Sequence, residues 1–349
     1  MAGPFRVAFR AMGCPCEIQL FGSDDAERAR AAGIARAEIL RLEHKYSRYR
    51  EDSLLSTINR VAAAGGRIAV DAETAGLLDY AATCHAQSDG AFDVTSGALR
   101  RAWRFDLDAL PAPSRIAQAL VHVGWHRLRW SSPVLEFPHA GQELDFGGIV
   151  KEYAVDRVVQ RCRAAGVTGG IVNLGGDLRV IGPRPDGRPW RIGIAHPRRP
   201  GECMTTLELP AGAVATSGDY ARRIRIGDDY YGHLLDPRSG WPVRHLAAVS
   251  VVAEHCVVAG GAATIAMLKG ADGPSWLAAL ALPHLWVATD LACGGSLRRR
   301  GSHERGSPPR RNAPDARSGF LAAGETACEE VARVCRPGPR NDVPQPRRV

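Results

Sequence analysis

Residues 145–156 read Asp145-Phe-Gly-Gly-Ile-Val-Lys151-Glu-Tyr-Ala-Val-Asp156: a strand end, a glycine pair and the first turns of a helix. Glycines let main-chain N–H groups converge on an anion, and the positive end of a helix dipole adds to the attraction. The stretch also divides the chain. Before it, short strands alternate with helices. After its helix, over 150–163, strands dominate from 170 to 252, and another helix follows at roughly 256–269. This order predicts an α+β fold with mixed or antiparallel sheets and flanking helices, rather than a doubly wound one.

Working outward, residues 17–21 alternate polar and apolar as a half-buried strand does. Residues 25–44 carry Ile34, Ile39, Leu40 and Leu42 at helical spacing behind the cap cluster Ser23-Asp-Asp25. A second helix over 72–87 stops at Asp89-Gly90. A hairpin over 126–137 turns at Ser131-Ser-Pro133, and 282–290 closes the body as a strand.

Three more loop motifs follow the first: Asn173-Leu-Gly-Gly-Asp177, Ala215-Thr-Ser-Gly-Asp-Tyr220 and Gly232-His-Leu-Leu-Asp-Pro-Arg-Ser-Gly240. Each pairs small residues with polar groups able to grip a phosphate, a metal or a sugar, and four in order describe a site for a large phosphate-bearing ligand. Lys151 is one of three lysines beside 42 arginines. It is either a compact ammonium for a phosphate or carbonyl oxygen, or an ordinary first-turn lysine. His233, beside Asp236-Pro-Arg238, is a base oriented by a carboxylate, a pyrophosphate contact or a structural histidine. Arg238 either faces a leaving phosphate or pairs with Asp236. Asp93 binds ligand or caps its turn. Met12 packs on a ring or in the core. Tyr49 stacks on a base, hydrogen-bonds through its hydroxyl or lies on the surface. Thr216, Ser217 and Asp219 line the site, with a helix cap as the alternative for Asp219.

Composition sets the outer limits. At 349 residues and 45% hydrophobic, the chain can bury one large core or two small ones. No run approaches a membrane span. The opening residues, broken by arginine, do not form a secretory apolar region, so a cytoplasmic protein is expected. Nine cysteines without a CxxC pair suit reduced thiols. Cys14 and Cys16 have a redox or metal role as one alternative and simple burial as the other. Residues 294–349 hold twelve arginines, six acidic residues and seven prolines, most of the net charge of +8. The expected organisation is a folded body over 1–293 and an unstructured Arg/Pro-rich tail over 294–349, with no nucleic-acid partner.

Together with Ala11-Met-Gly13, Tyr46-Ser-Arg-Tyr49, Ser53, Asn59, Gly90-Ala-Phe-Asp93-Val-Thr95 and Ala259-Gly-Gly-Ala-Ala-Thr264, the four motifs give a resemblance over roughly residues 8–290. The chain resembles the FAD:protein FMN transferases, the ApbE family. The resemblance implies an α+β fold with the flavin between two subregions. It implies Mg²⁺-dependent transfer of FMN from FAD, through a phosphoester bond, to a Ser or Thr of a target protein, with release of AMP. The acceptor would carry a Ser/Thr-Gly-Ala-Ser/Thr stretch in a redox or membrane-associated protein. By the same resemblance Met12, Tyr49, Ala91, Phe92, Asp93, Asp145 and Lys151 would contact FAD. His233 and Arg238 would be catalytic, and the Gly148 carbonyl and Thr264 would hold the metal. The family commonly supplies an Asp four residues before that Thr, where this chain has Gly260. This departure leaves a non-catalytic FAD-binding protein of the same fold as the alternative.

Overall fold

The computed structural model describes residues 3–297 apart from 23, 108, 221–222 and 228. Strands β1 (Phe5–Ala11) and β2 (Cys14–Phe21) form a hairpin. It turns through Met12 and Gly13, both at positive φ (52° and 73°). Helix α1 (Asp25–Tyr46) starts at Asp24, whose side chain accepts from the Ala26 N–H. Helix α2 (Leu54–Ala64) starts at Ser53, which accepts from Ser56. Strand β3 (Gly66–Ala69) leads to α3 (Ala72–Gln87), the limits the sequence predicts. After α4 (Pro113–Leu120), β4 (Arg129–Ser131) and β5 (Val134–Phe137) make the expected hairpin around Ser132-Pro133. Helix α5 (Val150–Ala164) springs from the glycine pair.

The strand-rich half follows: β6 (Gly169–Leu174), β7 (Asp177–Gly182), β8 (Trp190–Ala195), β9 (Cys203–Leu209), β10 (Ala213–Gly218), β11 (Arg223–Ile226), β12 (Asp229–Gly232) and β13 (Leu246–Ala253). Then come α6 (Cys256–Lys269), α7 (Gly273–Leu280), β14 (His284–Ala288) and β15 (Cys293–Gly294). One sheet of order β1-β2-β6-β7-β10-β13-β14-β15 joins both ends of the described chain. Its pairings are all antiparallel, so the expectation of an α+β fold with mixed or antiparallel sheets resolves to antiparallel.

Period-two alternation divides the apolar side chains between the two faces of this sheet. Val172, Ala213, Ala215, Val249 and Val251 turn toward α1, α5 and α6 in the main core. Ile171, Leu178, Val180, Val214 and Ala248 turn the other way, under Trp190, Ile194 and Leu209 of the β8–β9 hairpin. The result is three layers: helices, sheet and hairpin. Trp103, Ile116, Ile224 and Tyr231 form a separate cluster beneath α4 and the β11–β12 hairpin. Strand β15 and Leu297, which packs on the hairpin-side core, carry the body past residue 293. The rest of the expected 294–349 tail lies outside the described residues. Among the described residues no helix is long and apolar enough to cross a membrane.

Candidate active site

Two parallel spacings place α5 against α6. Glu152 and Asp156 lie four residues apart on one face of α5, and Cys256 and Gly260 lie four apart on α6. Asp156, fully buried, accepts the backbone N–H groups of Cys256 and Val257 at 2.9 Å each, and so caps α6 from a neighbouring helix. Arg179 also donates to it at 2.8 Å. One turn along, Glu152 faces Gly260. A Cβ at position 260 would lie 3.0 Å from Glu152 Cδ and 3.3 Å from Oε1, and would overlap Cγ. Glycine at 260 therefore makes room for the Glu152 side chain.

Around this contact the loop motifs converge. Lys151 Nζ reaches Asp177 Oδ2 at 2.5 Å and stands 3.8 Å from Glu152 Oε1. Asp177 also accepts the Thr216 N–H at 2.9 Å. Ser217 Oγ and Thr264 Oγ1 are 2.7 Å apart, tying the end of β10 to α6. Gly175, at φ 64°, donates its N–H to the Pro15 carbonyl at 2.8 Å, so the β6–β7 turn lies against the β1–β2 hairpin. A side chain at 175 would strike Cys14.

The electrostatics are those of closely packed, mostly buried ionisable groups. Burial works against the Lys151 charge, but the Asp177 and Glu152 carboxylates overcome it and hold the ammonium well above its ordinary range. Burial pushes the Glu152 carboxyl from its ordinary value of 4.5 up to about 8, against the pull of Lys151 and with help from Asp177. Its Oε2 is buried and has no hydrogen-bond partner. A group whose folded pKa is raised keeps a proton that the unfolded chain releases, so its contribution to stability is lost as pH rises through that window. Wild type is therefore expected to lose stability relative to Glu152→Gln between pH 4.5 and about 8. Parallel melts of both proteins across that range check this, and a constant difference in Tm would contradict it.

The expected site residues divide. Lys151 and Thr264 enter the cluster just described. Gly148 borders it at the start of α5, where a Cβ would sit 3.3 Å from the Phe92 ring, so Phe92 packs directly on the glycine pair. Ala91 and Phe92 are buried. Met12 is half-buried at its hairpin turn, its N–H donating to Glu43 Oε1 at 2.6 Å. Asp145 Oδ1 accepts the Gly147 N–H at 2.8 Å, and Oδ2 pairs with Arg48. Arg48 lies over the Tyr49 ring at 5.0 Å and donates to its hydroxyl at 2.9 Å, with Tyr49 72% exposed.

Three polar side chains already have partners within the chain, and Asp219 meets an arginine rather than capping a helix. Asp93 accepts from the Thr95 N–H at 2.8 Å, the Thr95 hydroxyl at 2.6 Å and the Trp125 N–H at 2.8 Å, which makes its carboxylate a cap. Arg238 makes a two-pronged pair with Asp236 at 2.9 and 3.0 Å. Asp219 is gripped by Arg198 at 2.6 and 2.7 Å. His233 is half-buried in the loop after β12, where Gly232 lies against Asp219. Cys14 and Cys16 are free thiols, Cys16 buried. Sequence reasoning did not single out Glu152 or Arg48; the signal for Glu152 was a carboxylate directly beside Lys151.

The comparisons fit this geometry. The sequence profile of the ApbE family matches residues 12–286. A FAD:protein FMN transferase of Chlamydia pneumoniae is 32% identical over 65% of this chain and 72% of its own length. One of Rhodobacter capsulatus is 28% identical over 76% of this chain, which spans about half (51%) of that relative's length. The crystal structure of the ApbE protein from Thermotoga maritima superposes with a TM-score of 0.78 at 30% identity, covering 84% of this chain and 97% of that one. The flavin transferase ApbE of Vibrio cholerae does so at 0.75 and 26% identity, covering 86% and 98%. These names belong to transferases and do not favour a non-catalytic binding protein. The chain belongs to the ApbE family.

Proposed function

We propose that this protein transfers FMN from FAD to a Ser or Thr hydroxyl of an acceptor protein and releases AMP. The carrying observation is the glycine-opened start of α5, with a half-buried Lys151 held charged by Asp177, which also grips the N–H of Thr216, next to Ser217 and its partner Thr264. That is a fixed positive group at the edge of a buried polar cluster, where its attraction for an anionic pyrophosphate is less screened than in water. The N–H groups and dipole at the start of α5 add to the hold on its oxygens. The acceptor hydroxyl oxygen forms a bond to the FMN-side phosphorus, and the pyrophosphate P–O bond breaks. AMP leaves with that electron pair, and the hydroxyl proton passes to His233. Arg238, held by its two bonds to Asp236, is the cation available to the leaving phosphate.

Among the described residues no three His, Cys, Asp or Glu side chains gather as a metal site. Mg²⁺, however, takes oxygen ligands and keeps several waters and substrate phosphates in its shell. The Thr264 hydroxyl and the Gly148 carbonyl, with Glu152 Oε2 buried and without a hydrogen-bond partner one turn along α5 from Gly148, are oxygen ligands of the kind such a cation takes. Once bound, it would neutralise charge on the phosphates. The acceptor proposed is a protein with a Ser/Thr-Gly-Ala-Ser/Thr stretch, in a membrane-associated redox subunit. Incubation with FAD, Mg²⁺ and such an acceptor domain is expected to add the mass of FMN to the acceptor, and a chelator to prevent it. No gain, where a known flavin transferase modifies the same acceptor, would overturn the proposal.

A further inference from the structure

The buried carboxylate that this chain offers a divalent cation comes from α5, not α6: we infer that Glu152 supplies the acidic ligand that Gly260 cannot. The inference rests on the flavin-transfer reading of the same site. Three observations carry it. Glu152 lies over Gly260, with Cδ 3.0 Å and Oε1 3.3 Å from where a Cβ at 260 would stand, so a carboxylate on residue 260 would compete for the volume Glu152 now fills. Its residue is 6% exposed and its Oε2 has no partner, an uncommon state for a buried carboxylate oxygen, since an acceptor out of water normally finds a donor or a cation. Asp156 and the Cys256–Val257 N–H groups fix α5 against α6 one turn away, so the carboxylate faces the turn of α6 at Gly260, four residues before Thr264 along the same face. The acid stands on α5 and the glycine on α6.

A pure packing role makes a different forecast, because Gln fills the same space as Glu without its charge. Mn²⁺, a spectroscopic substitute for Mg²⁺, is titrated into FAD-loaded protein and free Mn²⁺ is read by electron paramagnetic resonance. FAD affinity is measured separately, without metal, by flavin fluorescence. Wild type is expected to bind Mn²⁺, and Glu152→Gln to bind it about tenfold more weakly or worse, with metal-free FAD affinity within about twofold, because one anionic ligand is lost. The double variant Glu152→Gly with Gly260→Asp returns the carboxylate from α6 and is expected to regain most of the affinity. Gly260→Asp alone would drive its side chain into Glu152 and is not the test. Wild-type Mn²⁺ affinity in Glu152→Gln overturns the assignment. So does a folded, FAD-binding double variant that holds Mn²⁺ no better than Glu152→Gln. Failure of wild type to bind FAD at all would instead overturn the flavin-transfer reading beneath it.

Discussion

Asp156→Ala is expected to lower stability by about 3–5 kcal/mol, because it strips a fully buried carboxylate from three donors at once. Two of those donors are the first N–H groups of α6, which have no helical partner of their own. The third is the Arg179 guanidinium, 5% exposed, which would be left as an uncompensated buried charge. For a domain of this size the loss corresponds to a fall in Tm of roughly 10 °C. Thermal melts followed by circular dichroism read it directly. Asp156→Asn should fall between, since its amide oxygen still accepts but its NH₂ faces donors. Asp156→Ala combined with Arg179→Met should cost less than the sum of the single changes, because the residues share one network. A melt within a degree or so of wild type would show that α6 does not depend on this cap. The effect should also reach the site, since α6 carries Thr264 to Ser217.

This dependence explains what could be read from the sequence alone. Helix α3 was legible to the residue because its apolar positions, its Asp71 cap and its Asp89-Gly90 stop are all local. The glycine pair before α5 announced a helix start for the same reason. Helix α2 was not read, although Ser53 and the spacing of Leu55, Ile58 and Ala62 carry the same kind of signal. The lysine, the Gly-Gly-Asp turn and Thr264 could be named from their motifs, but their meeting is a property of the antiparallel sheet, which pairs β10 with β13 and brings α6 down onto α5. Gly260 shows the limit most plainly. In sequence it is a missing acid; in the fold it is the room that Glu152 occupies. Asp93 shows a related limit, because a carboxylate that caps a turn and one that binds a ligand have the same letters around them.

Lys151→Met is expected to lower FMN transfer about 10²–10³-fold, the usual cost of removing one preorganised group that faces developing charge. Methionine keeps the length and apolar stem, so the change is chiefly electrostatic. Stability should fall as well, by about 2–3 kcal/mol, because Asp177, 2% exposed, would keep the Thr216 N–H but lose its ammonium. The figure sits below that for Asp156 because 27% of the Lys151 side chain reaches solvent. Lys151→Arg separates the two effects. A guanidinium can still pair with Asp177 and should recover most of the stability, but its planar fork cannot place a compact charge where the ammonium stood, and transfer should stay low. The pair of measurements is a melt and an FMN-transfer rate at saturating FAD. Wild-type rates in a folded Lys151→Met protein would remove Lys151 from the chemistry and leave it as the counter-ion of Asp177. Loss of rate in both variants, with stability restored only in the arginine one, would place the ammonium itself at the reacting phosphates.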